Sequence, residues 1–87
     1  MNHRASPRFW HRYHQLPEDV RRKADRDYQL LRQDPRHPLL RLKRVGNFWS
    51  VRVGLHYRAL AIEDGSDLIW VWIGPHTEYM RLIQHQG

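Results

Sequence analysis

The spacing of apolar side chains changes from a helical period to a strand period after the Asp34-Pro35 pair. Before that pair, apolar residues recur at helical spacing in two segments, residues 6–16 and residues 17–34. A Ser-Pro pair opens the first segment and Pro17 opens the second, and both are typical helix starts. In the second segment the predicted buried stripe is Val20, Ala24, Tyr28 and Leu31. We therefore predict two consecutive helices that form an antiparallel hairpin.

The second half of the chain has the alternation that is typical of strands. The segments "LLRLKRV", "FWSVRV", "YRALAIE" and "DLIWVWI" are separated by short turn signals. The tail "HTEYMRLIQ" has the pattern of one or two helical turns. The predicted fold is α+β, with the helical hairpin packed on one face of a three- to four-stranded antiparallel sheet and a short C-terminal helical turn. Residues 1–87 are expected to form a single domain, since the chain is too short for two cores.

Turn lengths predict which residues pair across the strands. A two-residue Gly46-Asn47 loop pairs Lys43 with Ser50, and a three-residue loop at 54–56 pairs Arg52 with Arg58. An Asp64-Gly65 turn pairs Arg58 with Val71.

These registers separate the side chains onto two faces, because neighbouring residues of a strand point to opposite sides. The face that we call the basic face is expected to carry Arg41, Lys43, Ser50, Arg52 and Arg58. The other face, called the helix face because the helices should cover it, is expected to carry Arg44 and the apolar residues Leu40, Leu42, Trp49, Val51, Val53, Tyr57, Ala59, Ala61, Trp70 and Trp72.

Composition and the lengths of the apolar runs indicate the cellular compartment of the protein. The chain has no cysteine, so disulfides and thiolate metal sites are excluded. The apolar run "LIWVWI" is too short to cross a bilayer, and "MNHRASPRFW" lacks an apolar signal segment. We expect a cytoplasmic protein that has no membrane partner.

The net charge of +6 is concentrated in one part of the chain. Residues 35–62 contain six Lys or Arg residues and no Asp or Glu, whereas basic and acidic residues balance elsewhere. Such a local excess attracts nucleic acid or an acidic protein segment, although a solvated basic surface would have the same composition.

With these residues in place, the chain resembles the RelE/ParE superfamily of bacterial toxins from type II toxin–antitoxin systems. Two helices are followed by "WSVRVGLHYRALAI" and then by "WIGPHTEY", and the resemblance extends from about Leu16 to Ile83. The sharpest parts are "RVG..YR" and "IGPHTEY". The chain departs from the family in having one extra residue between Gly54 and Tyr57, and "MNHRASPRF" has no strand pattern where the family begins with a strand.

The resemblance implies a toxin that a cognate antitoxin neutralises. The superfamily divides into ribosome-dependent endonucleases that cut mRNA and ParE-like proteins that inhibit DNA gyrase, and fold alone does not choose between them. The first interpretation is an mRNA endonuclease with ribosome and mRNA as partners. The alternatives are a gyrase inhibitor and a catalytically silent binding module of the same fold.

Metal-free RNA cleavage needs a base, an acid and cations at the phosphate. The expected catalytic residues are Arg52, Arg58, His76 and Tyr79, and the expected RNA-binding residues are Arg41, Lys43, Arg44 and Arg52. Each also has a structural interpretation, with Tyr79 as a core aromatic, Arg58 as an anchor for the tail and His76 on the surface. No cofactor is expected, and no metal site, because His11 and His14 lack a third ligand.

Overall fold

The computed structural model describes residues 2–84, and Met1 and residues 85–87 lie outside the described part. The elements follow one another as β1 (Asn2–Ala5), α1 (Pro7–His14), α2 (Glu18–Gln33), a 3₁₀ turn (Pro38–Leu40), β2 (Lys43–Val45), β3 (Phe48–Val53), β4 (Tyr57–Asp64), β5 (Asp67–Pro75) and α3 (His76–Gln84). The strands form one sheet in the order β1-β5-β4-β3-β2. The predicted α+β class is confirmed, but the sheet has five strands and one parallel pair instead of three or four antiparallel strands.

The helix starts agree with the local sequence. The Ser6 side chain accepts a hydrogen bond from the Phe9 amide at 3.2 Å, and Pro7 occupies the first turn of α1. The two helices contact each other where the Tyr13 hydroxyl donates to Asp25 at 2.7 Å. On α2, Val20 and Leu31 are buried as predicted, but Tyr28 is exposed and Asp27 is buried instead.

The N-terminal segment forms a strand, so the prediction that it has no strand character was wrong. β1 runs parallel to β5, with Ala5 opposite Trp70. Arg4 forms ion pairs with Asp64 at 2.8 Å and Asp67 at 3.3 Å. A strand of four mostly polar residues has no apolar alternation to reveal it, because its pairing depends on side chains that are distant in sequence.

The β4–β5 register also differs from the prediction. Asp64 pairs with Asp67, so the loop is Gly65-Ser66, and Arg58 lies opposite Gly74 instead of Val71. Between the Ala61–Trp70 pair and the Leu60–Trp72 pair the register shifts by one residue, because Val71 has no partner in β4. This shift places Trp72 on the basic face, whereas both tryptophans were predicted on the helix face.

The two faces of the sheet carry separate apolar clusters. The larger cluster lies on the helix face and includes Leu16, Val20, Leu31, Leu40, Val51, Val53, Ala59, Ala61, Leu68, Trp70 and Ile73. The smaller one lies on the basic face, where Tyr79 of α3 packs against Leu60 and Trp72. The basic face is therefore partly covered by α3, contrary to the expectation of an open face and a short terminal turn.

The stability that the N-terminal strand contributes should depend on pH through the protonation of His3. Its Nδ1 accepts a hydrogen bond from the Trp70 indole at 3.1 Å, and burial, with nearby positive charge including Arg32, lowers the pKa of His3 below 6.5. A depressed folded-state pKa means that this contribution to stability is present above pH 6.5 and is lost as the pH falls toward the folded-state pKa. The free energy of unfolding, measured in urea at about pH 7.5 and about pH 5.5, should fall less in His3→Gln than in the unmodified protein. An equal fall in both proteins would contradict this role of His3.

Candidate functional site

Two arginines face each other directly on the basic face. Arg52 of β3 pairs with Arg58 of β4, and Lys43 of β2 pairs with Ser50 of β3. Both registers agree with the predicted turn lengths. Because Ser50 and Arg52 are two residues apart on one strand, the cations from three neighbouring strands lie on the same side of the sheet.

The two remaining members of the predicted RNA-binding set occupy different positions. Arg41 lies outside the strands, with a φ of 47° at the end of the 3₁₀ turn, but its charge still acts on Arg58. Arg44 pairs with Trp49, lies over the indole ring and donates to Glu63 at 2.7 Å. Arg44 is therefore on the helix face and already has a carboxylate partner, so it does not join the cluster.

The cations of the basic face form no ion pair with a carboxylate of residues 2–84. Within residues 2–84, no carboxylate lies within 4.0 Å of Arg41, Lys43, Arg52 or Arg58. The basic members of the ion pairs in this part of the chain are Arg4, Arg12, Arg22, Arg26 and Arg44. The basic face thus presents unpaired positive charge that an anion can neutralise.

Among the residues that the structure describes, three buried polar atoms on this side of the sheet have no hydrogen-bond partner: Ser50 Oγ, Arg58 Nη1 and the Tyr79 hydroxyl. Ser50 and Arg58 lie on adjacent strands one pair apart, and the Arg58 guanidinium carbon is 5.3 Å from the centre of the Tyr79 ring. Buried polar atoms are almost always paired in native proteins, since leaving one unpaired costs about 1–3 kcal/mol. Arg58 is half-buried and retains contact with solvent, so the oxygen atoms of a phosphate can accept from its guanidinium, whereas Ser50 is fully buried.

The surroundings of Arg58 disfavour its positive charge. Burial lowers the pKa of Arg58, the neighbouring Tyr79 opposes this, and the charges of Arg52 and Arg41 lower it further. An arginine remains charged at neutral pH even so. Its charge is thus held at a cost in stability that a bound anion would offset.

Tyr79 lies next to Arg58, and His76 lies next to Tyr79. His76 begins α3, its amide donates to the His56 carbonyl at 2.8 Å, and its ring centre is 5.8 Å from that of Tyr79. His76 is half-buried and retains contact with solvent, whereas Tyr79 is only 1% exposed. The Tyr79 ring lies against the Arg58 guanidinium, and this cation–π contact helps to hold the guanidinium in place.

A chain of pairwise contacts places the four expected catalytic residues, Arg52, Arg58, Tyr79 and His76, in one region. Ser50 was predicted on this face but was not recognised as a site residue. A serine in the middle of the apolar strand "FWSVRV" was the available signal. Within residues 2–84 no group of three His, Cys, Asp or Glu side chains could hold a metal, and no helix is both long and apolar enough to cross a bilayer.

An apolar cavity of about 210 Å³ lies on the opposite side of the sheet. It lies between α1, α2 and the sheet and is open to solvent on one side, and residues such as Phe9, Tyr13 and Leu31 line it. None of the four clustered site residues lines this cavity, so it is separate from the candidate site.

Comparison with known families identifies the fold. A profile described as the ParE-like toxin domain matches residues 18–81, which is most of the chain. The chain belongs to the ParE-like toxin family. No curated protein sequence matches it significantly.

Solved structures share the ParE-like fold at low sequence identity. The RelB–RelE antitoxin–toxin complex from Methanococcus jannaschii aligns with a TM-score of 0.70 and 16% identity, over 91% of this chain and 96% of that chain. A YoeB/ParE toxin from Agrobacterium tumefaciens aligns with a TM-score of 0.67 and 16% identity, over 87% and 99%. The RelBE2 toxin–antitoxin complex from Mycobacterium tuberculosis aligns with a TM-score of 0.60 and 19% identity, over 85% and 95%. At these identities the likeness extends to the fold only.

The unpaired cations of this ParE-like domain should bind a small anion. Inorganic phosphate at about five times its dissociation constant should raise the free energy of unfolding by about 1 kcal/mol relative to chloride at equal ionic strength. Arg58→Met should abolish this difference, since it removes the buried guanidinium and keeps the packing on Tyr79. Arg36→Met, on an exposed residue that makes no side-chain ion pair in the described part, should retain it. The same phosphate effect in both variants would exclude the site.

Proposed function

We propose that this chain is the toxin of a type II toxin–antitoxin system and that it cleaves mRNA on the ribosome. Family membership supports the first part of the proposal. The observation that carries the second is the buried Arg58 Nη1, which has no hydrogen-bond partner among the described residues and lies beside Arg52 on a face where residues 2–84 supply no carboxylate. Such a pair can stabilise the charge of a phosphate in the transition state of RNA cleavage.

The proposed reaction needs no metal. The 2′-hydroxyl of one nucleotide loses its proton and attacks the adjacent phosphorus, the bond to the 5′-oxygen breaks, and that oxygen takes up a proton. Arg52 and Arg58 hold the phosphate, and Arg41 and Lys43 contact the flanking backbone. His76 accepts the 2′-hydroxyl proton and then returns a proton to the departing 5′-oxygen, because it is the imidazole of the cluster that retains contact with solvent. Tyr79 holds the Arg58 guanidinium in place.

An acidic antitoxin segment is the proposed protein partner. Two of the structures that share this fold are antitoxin–toxin complexes. Residues 35–62 of this chain, which form β2, β3 and most of β4, contain no carboxylate. A partner that covered the basic face would neutralise the same cations that hold the phosphate, and it would thereby block the site.

Gyrase inhibition is the second candidate, and the matching profile favours it because its description is ParE-like. The buried Tyr79 hydroxyl also favours it, since only His76 of the predicted acid–base pair is accessible. In that case the basic face would be a protein-binding surface without nuclease chemistry.

Two site variants and one control test the nuclease proposal. In a reconstituted translation system, His76→Gln should retain binding and lower mRNA cleavage by about 10²- to 10⁴-fold, the usual scale for lost acid–base catalysis. Arg58→Met should lower cleavage by about 10²- to 10³-fold through lost charge stabilisation. His11→Ala, on the exposed side of α1, should have no effect. Primer extension on the translated message measures the cuts.

A parallel assay of gyrase supercoiling decides between the two candidates. If the protein makes no ribosome-dependent cuts and inhibits supercoiling, the nuclease proposal is rejected and the gyrase inhibitor is supported. If the unmodified protein has neither activity, the interpretation that remains is a catalytically silent binding module.

A further inference from the structure

A carboxylate interrupts the buried stripe of α2. The buried residues of this helix are Val20, Asp27 and Leu31, and Asp27 is 8% exposed. Its neighbour Tyr28, which fits the apolar pattern, is 39% exposed. Burying a carboxylate is costly unless it accepts hydrogen bonds. A position where the local pattern fails in this way often has a function.

Asp27 holds the turn between β3 and β4. One carboxylate oxygen accepts from the Gly54 amide at 3.3 Å, and the other accepts from the exposed Arg26 side chain at 3.2 Å. Gly54 has a φ of +60°, and a Cβ at this position would lie 3.1 Å from the Lys23 side chain. The positive φ therefore favours glycine at this position, whereas the flexible Lys23 side chain could move aside for a Cβ.

The same turn contacts two residues of the candidate site. The Gly54 carbonyl accepts a hydrogen bond from Arg52 Nε at 3.0 Å. The His56 carbonyl, two residues further on, accepts from the amide of His76 at 2.8 Å. One residue, Gly54, thus lies between the Asp27 carboxylate and the Arg52 guanidinium, with its N–H donating to the first and its carbonyl accepting from the second, and the turn fixes the start of α3.

Arg52 needs such a restraint because it faces Arg58. Two like charges opposite each other repel, and an exposed arginine side chain would turn away from its neighbour. The hydrogen bond to the Gly54 carbonyl opposes that movement as long as the turn stays in place.

We propose that Asp27 is a positioning residue for the basic face, acting through the 54–56 turn on Arg52 and His76. The assignment of these two residues to a site rests on the proposed function, but the positioning itself is a property of the fold. Asp27 touches no substrate in this account.

The experiment compares Asp27→Ala and Asp27→Asn with the matched control Asp25→Ala, which alters a neighbouring α2 carboxylate that contacts Tyr13 and not the turn. Hydrogen exchange is measured by NMR on the full chain. In Asp27→Ala, the Gly54 and His76 amides and the Arg52 Nε–H should exchange about tenfold faster, the scale of one lost hydrogen bond to a charged group. Amides of Leu68 and Ile73 in β5 should keep their rates. Asp27→Asn should restore most of the protection, because its amide oxygen can accept the same bond.

Two results would overturn the proposal: unchanged exchange at Arg52 and His76 in Asp27→Ala, or the same acceleration throughout β5, which would indicate only general destabilisation. If Asp27→Ala does not fold, Asp27→Leu fills the space without an acceptor and should give the same local acceleration. Cleavage assays on the same variants keep the two proposals apart. If the unmodified protein cuts no message while the exchange pattern is as expected, the positioning stands and the nuclease assignment fails.

Discussion

The site is organised around two like charges that the fold holds opposite each other. Arg52 and Arg58 form a directly opposed pair on β3 and β4, with no carboxylate nearby in the described part of the chain. The Tyr79 ring lies against one guanidinium, and the 54–56 turn holds the other. Such a pair lowers the stability of the sheet until an anion neutralises it. The surrounding structure supplies the restraint that keeps the pair together.

This pair was predictable from the sequence because turn length fixes the register of a hairpin. The Gly46-Asn47 turn and the 54–56 turn gave the correct pairing of β2, β3 and β4, and with it the placement of Arg52 opposite Arg58. The next hairpin was misread, since both Asp64-Gly65 and Gly65-Ser66 are acceptable turns and no local signal marks the unpaired Val71. The parallel strand β1 was missed because its partner strand is more than sixty residues away in sequence.

The roles of the individual site residues were harder to predict from the sequence than the positive charge of the site. A count of residues reveals that 35–62 lack carboxylates, but burial depends on which element covers which face. Packing of α3 on the basic face buries the Tyr79 hydroxyl, and this changes the residue from a proton-transfer candidate to a support for Arg58. Similarly, helical periodicity favoured Tyr28 over Asp27 as the buried residue of α2, because an apolar pattern cannot anticipate a carboxylate that binds a distant turn.

The central claim is that Arg52 and Arg58 are held together at a cost in stability, and a double-mutant cycle tests it most directly. The free energy of unfolding is measured in chloride, without phosphate, for the unmodified protein, Arg52→Met, Arg58→Met and the double variant. Each single replacement should raise stability, and the coupling energy between the two residues should be repulsive by about 0.5–1 kcal/mol and should shrink at high salt. A coupling energy of zero, or an attractive one, would show that the two guanidinium groups do not oppose each other and would contradict the account.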